Sequence, residues 1–276
     1  TATVRGWIAN RRSSGKVSFL IVRDGSGVCQ AIAERETMGD FYEEIRRLPL
    51  ESSVAVTGTV VEEGRSPGGY ELHVTGMTIL QKSEDFPIGK KEHGPDFLLG
   101  IRHLWLRSPR QIAIMRVRDA LVRYVRDFFY RNGFTLIDTP IFTTTVGEDS
   151  SNLFSVDYFD LGKTYLSQTG QLYLEAAIFG LGKVYCLGPT FRAERSKTRR
   201  HLTEFWMVEG EMAFFEHRDN LELQENFVSF IVQNVIREKA DELKKLERDI
   251  EPLRKVEPPF YRVAYDEAIE ILRMKG

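Results

Sequence analysis

The chain has 276 residues, 38 basic and 40 acidic, with 42% hydrophobic and 28% charged. That balance excludes a globally basic nucleic-acid binder, leaves room for local basic patches, and fits one large or two modest globular domains. Only two cysteines occur, Cys29 and Cys186, with no CxxC and no Cys/His cluster. A structural zinc site is therefore not expected, and a reducing, cytoplasmic compartment is. No apolar run reaches membrane-spanning length, and "TATVRGWIAN" has none of the character of a signal peptide. Strand-like alternation begins at once after Thr1, and Gly276 directly follows a helical pattern, so natural sequence is expected beyond one or both ends.

In chain order, residues 1–82 read as β. Five short Val/Ile/Thr-rich runs are divided by turn signals at 13–15, 24–27 and 67–69, with a helix-like insert, "ETMGDFYEEIRRL", between the third and fourth. This is the pattern of an OB-fold barrel, with an SH3-like barrel as the alternative. Residues 83–108 carry prolines, glycines and mixed charge without a period, and read as a linker or hinge. From residue 109 to 276 the character is α+β with an antiparallel tendency. A helix with apolar positions Ile114, Met115, Val117, Leu121, Val125, Phe128 and Phe129 ends at Gly133. "FTLIDTPIF", "KTYLSQ", "KVYCLGPTFRAE" and "LTEFWMVEGEMAF" follow as extended runs. A long helix over "HRDNLELQENFVSFIVQNVIREKADELKKL" is capped at Asp219 or Asn220.

The chemistry concentrates in "FRAERSKTRRHLTEFWMVEGE", Phe191 to Glu211. As a strand, its start puts Arg192 and Glu194 on one face. Ser196 to Arg200 has loop composition. His201 and Phe205 then sit four apart on the next run, with Glu209 and Glu211 further along the same face. Arginine forks fit phosphate oxygens, phenylalanine offers a flat surface for a base, and carboxylates can hold Mg²⁺ or an ammonium group. These are the parts of a nucleotide site built on a sheet. A plain ion pair at a sheet rim is the bland reading of Arg192 and Glu194. No GxxxxGK[ST] or GxGxxG occurs, so P-loop and dinucleotide readings fail.

"FRAERSKTRRHLTEF" resembles motif 2 of the class II aminoacyl-tRNA synthetases, whose pattern is fRxE, a loop, then (R/H)xxxF. Phe191, Arg192, Glu194, His201 and Phe205 fill it. "GFTLIDTPIF" after the long helix resembles motif 1, with Pro140 in the position found at the family's dimer interface. Residues 83–108 resemble the hinge, and residues 1–82 the anticodon-binding OB domain, of the aspartyl and asparaginyl subgroup. The resemblance spans nearly the whole chain. It implies an all-β OB-fold barrel followed by a class II α+β catalytic domain, an antiparallel sheet flanked by helices, that acts as a homodimer.

The resemblance also implies roles. Arg192 would bind the ATP α-phosphate and the attacking carboxylate, Glu194 the adenine amino group, His201 the outer phosphates, and Phe205 would stack on adenine. Arg195, Arg199 and Arg200 would approach pyrophosphate or the tRNA acceptor end. Glu148 matches the glutamate that binds the substrate α-amino group, although Asp149 stands where the family usually has glycine. Gln171 matches a substrate contact. Aspartyl members usually carry a lysine three residues after that glutamine. Here Leu174 stands there and cannot pair with an anion. Glu209 would accept from a side-chain amide and repel a carboxylate. Phe19 and Gln30 match residues that stack on and read anticodon bases, with Arg12 beside them, although a strand phenylalanine is more often core.

The implied reaction joins L-asparagine to tRNA(Asn) through an adenylate, with ATP and Mg²⁺, releasing AMP and pyrophosphate. The alternatives are an aspartyl enzyme, including one that also charges asparagine tRNA, and a non-catalytic tRNA-binding paralogue or fragment. A synthetase-derived amidotransferase lacks the anticodon domain, which this chain has. Motif 3, a glycine-rich run ending in arginine, and the acidic metal-binding pair before it are not found in the 276 residues. The metal ligands are thus not assigned.

Overall fold

The computed structural model describes residues 1–89, 91–145, 147, 153–195, 198 and 200–275. The chain divides into two compact units, Thr1–Trp105 and Leu106–Gly276.

In the first unit, β1 (Ala2–Ser14), β2 (Val17–Arg23), β3 (Val28–Glu34), β4 (Ser53–Glu62) and β5 (Tyr70–Gln81) close a barrel in the order β1-β2-β3-β5-β4. Closure removes the unpaired edges that an open five-stranded sheet would expose. Alternation does the sorting: Ser18, Leu20 and Val22 of β2 point inward and are buried, while Val17, Phe19 and Ile21 stay partly exposed. Ile8, Leu20, Val22, Ala31, Val54, Val56 and Leu72 fill the interior. The insert forms two short helices, α1 (Arg35–Met38) and α2 (Phe41–Arg47), and Ile45 of α2 joins that core. The stretch read as a linker or hinge contains α3 (Pro95–Gly100) and α4 (Arg102–Trp105). Pro95 takes the first position of α3, where its missing N–H costs nothing.

The second unit opens with α5 (Pro109–Arg131). Ser108 caps it by accepting from the Gln111 N–H at 3.3 Å, and Gly133 leaves it at φ +76°. After α5 come β6 (Thr135–Leu136), β7 (Phe142–Thr143), β8 (Ser155–Asp157), β9 (Lys163–Leu166), α6 (Gln171–Leu181), β10 (Lys183–Phe191) and β11 (Glu204–Met212). The order continues with α7 (His217–Glu238), α8 (Ala240–Lys245), α9 (Glu251–Arg254) and α10 (Tyr265–Lys275). β10 and β11 form an antiparallel hairpin with β6 parallel at the outer edge of β10, and β7, β9 and β8 make a second small sheet.

Helices cover both faces of the hairpin. On one, Tyr124, Phe128 and Phe129 of α5 and Ile231 and Val235 of α7 pack against Tyr185, Leu187 and Val208. Phe129 stacks on Tyr185 with centroids 4.4 Å apart, an arrangement open to it because Gly210, opposite Tyr185, has no side chain: a Cβ there would lie 3.1 Å from the Phe129 ring. Burying such a phenylalanine contributes roughly 1.5–3 kcal/mol. On the other face, Leu174, Ala177 and Ile178 of α6 meet Val184 and Cys186.

Two expectations change, and the apolar pattern of α5 is only partly buried. Ile114, Met115 and Leu121 are 37%, 47% and 43% exposed, so part of the apolar pattern of α5 is not core within this chain. The long C-terminal helix breaks at Lys239 into α7 and α8. The N-cap of α7 is Glu216 rather than Asp219 or Asn220, and Asp219 at N3 donates nothing but accepts from the Glu216 N–H, completing a reciprocal box. Among the described residues no helix is long and apolar enough to cross a membrane.

Candidate active site

The hairpin register fixes which side chains share a face. Phe191 pairs with Glu204, Thr190 with Phe205 and Cys186 with Glu209, so Phe205, Glu209 and Glu211 lie on the α6 side. That part of the expected constellation is brought together. The rest is not strand: β10 ends at Phe191 and β11 begins at Glu204. Arg192 and Glu194 therefore do not share a strand face, and His201 stands in the connecting turn rather than four residues below Phe205 on β11. The basic loop has too little β-propensity and too many like charges to extend the ladder.

Arg192 is nonetheless held at the mouth of the hairpin. Its N–H donates to the Thr203 carbonyl at 3.0 Å, and its guanidinium carbon sits 5.5 Å from the centroid of the Phe205 ring. A planar cation on the ring face is a favourable cation–π arrangement, and it presents the fork beside the surface that would stack on a base. The His201 Nδ1 meets the Thr198 hydroxyl. Glu194, Arg195, Arg200 and His201 are exposed. Arg199 and Glu148 lie outside the described residues.

Glu209 is the most constrained polar group of the site. Its Oε1 accepts from the Thr169 hydroxyl, and its Oε2 accepts from the Gly170 N–H at 2.8 Å and the Cys186 thiol at 3.3 Å. The 167–170 segment is pinned in place by the Ser167 carbonyl, which accepts from the Phe191 N–H at 2.9 Å. Gly170 is required by close approach, since a Cβ there would stand 2.7 Å from the Cys186 sulfur. The buried thiol is pushed up to about 12, first by desolvation and then by the Glu209 charge, so it stays protonated and donates. Glu211 is also raised, by burial first and then by Glu175 and Glu209. Gln171 is exposed and donates its amide to Glu175 at 2.9 Å. Leu174 is fully buried against Val184 and Cys186, so it floors the site instead of lining an open pocket.

Thr169, Gly170 and Cys186 are the residues that sequence reasoning passed over. The signal available was the register: a hairpin closing between Phe191 and Glu204 puts Cys186 opposite Glu209. A cavity of about 180 Å³ lies nearby, lined by Thr139, Pro140, Thr143, Thr169 and Tyr173 among others. Neither Arg192, Phe205 nor Glu209 borders it, so the sheet face and not this cavity is the candidate site. Pro140 is exposed and forms part of its wall. Among the described residues no three His, Cys, Asp or Glu side chains are grouped to hold a metal ion.

On the barrel, register aligns Arg12, Phe19, Ile32 and His73 across four strands. The Arg12 guanidinium carbon lies 4.5 Å from the Phe19 centroid. Gln30 donates to Ser66 at 3.0 Å and to Glu71 at 3.2 Å, and the Glu71 carboxylate also meets His73 at 2.9 Å. Burial pushes the Glu71 carboxyl up, but hydrogen bonds from His73, Ser66 and Gln30 outweigh it and leave it lowered. The three predicted barrel residues thus gather on one outer surface, an aromatic platform beside polar side chains, as single-strand readers use.

The comparisons with known proteins agree with this architecture. Residues 94–275 match the family of tRNA synthetases class II (D, K and N), and residues 2–80 match the OB-fold nucleic acid binding domain. Asparagine–tRNA ligase of Desulforamulus reducens is 50% identical over 274 residues, 99% of this chain and 64% of its own. That of Pelotomaculum thermopropionicum is 52% identical, also over 99% and 64%. Asparaginyl-tRNA synthetase from Pyrococcus horikoshii, complexed with asparaginyl-adenylate, superposes with a TM-score of 0.94 at 42% identity, covering 99% of this chain and 64% of that one. The chain spans a little under two thirds of the length of these relatives. With its two folds, its hairpin and its matches in register, the chain belongs to the class II tRNA synthetases of the D, K and N group.

Proposed function

We propose that the chain carries the anticodon-binding and much of the catalytic portion of an enzyme that attaches L-asparagine to tRNA(Asn) through an asparaginyl-adenylate. Residues 1–82 are the anticodon module, 83–108 the hinge and 109–276 the catalytic domain. The observation that carries this reading is the α6 face of the hairpin. Arg192 and Phe205 stand at its mouth, and Glu209 follows four residues along, about 13 Å at strand spacing. That separation suits a nucleotide base at one end and an amino-acid side chain at the other.

The chemistry is alignment. Arg192 holds the α-phosphate and the attacking carboxylate for in-line displacement and meets the charge that develops, the role preorganised donors perform best. Phe205 stacks on adenine, Glu194 and His201 contact base and outer phosphates, and Arg195, Arg199 and Arg200 face pyrophosphate or the acceptor end. Glu148 and Gln171 hold the amino acid. Glu209 accepts from the side-chain amide. A divalent ion, Mg²⁺, arrives with ATP. Among the described residues no cluster of His, Cys, Asp or Glu is grouped to hold it.

Three further elements complete the proposal. Arg12, Phe19 and Gln30 bind the anticodon. The exposed Ile114, Met115 and Leu121 on α5, with Pro140 close after it in sequence, support a homodimer formed through this region. The protein works in the cytoplasm, in keeping with its two free cysteines. ATP–pyrophosphate exchange on the full-length protein tests the reaction. Exchange driven by asparagine supports it, and exchange driven by aspartate and not by asparagine sinks it.

A further inference from the structure

The Glu209 carboxylate has roughly four lone-pair sites. Among the described residues three are filled: Thr169 on Oε1, and Gly170 and Cys186 on Oε2. The Thr169 hydroxyl is not free to turn, because its oxygen also accepts the Gln171 N–H at 3.1 Å and its single proton is left for Glu209. Cys186, 4% exposed, sits directly across the hairpin and is wedged under Gly170.

We propose that Cys186 and Thr169 are positioning residues that clamp Glu209 as a fixed, acceptor-only carboxylate with one site left open on Oε1, and that this clamp sets preference for a side-chain amide over a side-chain carboxylate. An amide NH₂ fills the open site. A substrate carboxylate has no proton to offer and meets a negative charge that cannot swing away, because Thr169, Gly170 and Cys186 already hold both of its oxygens. Leu174, buried against Cys186, adds no cation that would offset the repulsion. The protonated state of the Cys186 thiol at neutral pH keeps its donor in place. The inference rests on the asparaginyl reading above and extends it to residues that touch no substrate.

The test is ATP–pyrophosphate exchange on the full-length protein with asparagine and with aspartate, for the parent chain and for Cys186→Ala, Cys186→Ser and Thr169→Val. Cys186→Ala is expected to raise KM for asparagine about 3- to 10-fold, and Thr169→Val about 10-fold, with the asparagine-to-aspartate ratio falling in step. KM for ATP stays where it was. Cys186→Ser, which restores a donor, returns to within about 2-fold of the parent, a rescue that general loosening of the sheet would not give. Thr169 is part-exposed, so its variant reads the clamp even where a change at buried Cys186 fails to fold. A parent protein that prefers asparagine, with variants that keep its ratio, overturns the clamp alone. A parent that uses only aspartate overturns the asparaginyl reading and the clamp with it.

Discussion

Gly170→Ala probes the site where its packing is tightest. At Gly170 φ is −88°, which alanine adopts freely, so the change brings no backbone strain. It brings a Cβ 2.7 Å from the Cys186 sulfur and 3.0 Å from the Thr139 side chain. To reach ordinary contact the segment must move by at least about 0.7 Å. The Gly170 N–H to Glu209 bond starts at 2.8 Å, and a shift of that size stretches it to about 3.5 Å, outside the usual range of roughly 2.7–3.2 Å. Overpacking costs about 1–3 kcal/mol and a lost bond to a charged group about 1.5–3 kcal/mol. The expected total is about 3 kcal/mol, or a fall in Tm of roughly 6–12 °C for a domain of this size. Thermal unfolding followed by circular dichroism measures it. The double variant Cys186→Ala, Gly170→Ala, which removes the nearest obstacle, recovers part of the loss. A single variant that melts within about 1 °C of the parent refutes the close-approach reasoning.

Other substitutions address the remaining parts. Arg192→Ala is expected to lower adenylate formation by about 10²- to 10³-fold while tRNA affinity, measured by filter binding, hardly moves; equal loss of both would make Arg192 structural. Phe19→Ala should weaken tRNA binding by about 1–3 kcal/mol and leave pyrophosphate exchange intact, whereas an equal fall in Tm would return Phe19 to the core. Hydrogen bonds from Tyr124, Arg123 and Lys239 hold the Glu238 carboxyl down at about 2, below its ordinary 4.5. The folded chain therefore binds fewer protons than the unfolded one between those values, so this contribution is present above about pH 4.5 and is lost as pH falls toward 2. Glu238→Gln should flatten that stretch of the Tm–pH curve, and an unchanged curve would mean the contact between α5 and α7 is not held by charge.

Much of the fold was readable along the chain because its signals are local. Alternation of period two marks β1 to β5 and β10–β11, and the start of α5 is written in Ser108-Pro109. Motif 2 was readable because Arg192, Glu194, His201 and Phe205 lie close in sequence. One error came from extending a local rule too far. Strand geometry was carried past Phe191 to Arg192 and Glu194, and back from Phe205 to His201, whereas β10 ends at Phe191 and β11 begins at Glu204. Apolar periodicity on α5 tells which residues are apolar and not what covers them. Ile114, Met115 and Leu121 are left exposed in this chain.

The amino-acid sequence by itself determined the division into a β barrel and an α+β unit, the motif residues and the substitution of leucine at position 174. Spacing and residue type are enough for these. Only the tertiary structure decided that Leu174 is sealed beneath the site, that the face shared by Phe205, Glu209 and Glu211 is the one on the α6 side, and that Glu209 is gripped by Thr169, Gly170 and Cys186. Those contacts join the segment that leads into α6 to both strands of the hairpin that follows it, with Gly170 and Glu209 separated by 39 positions in the chain. Their strength depends on burial and on ångström-scale approach, which no one-dimensional pattern carries.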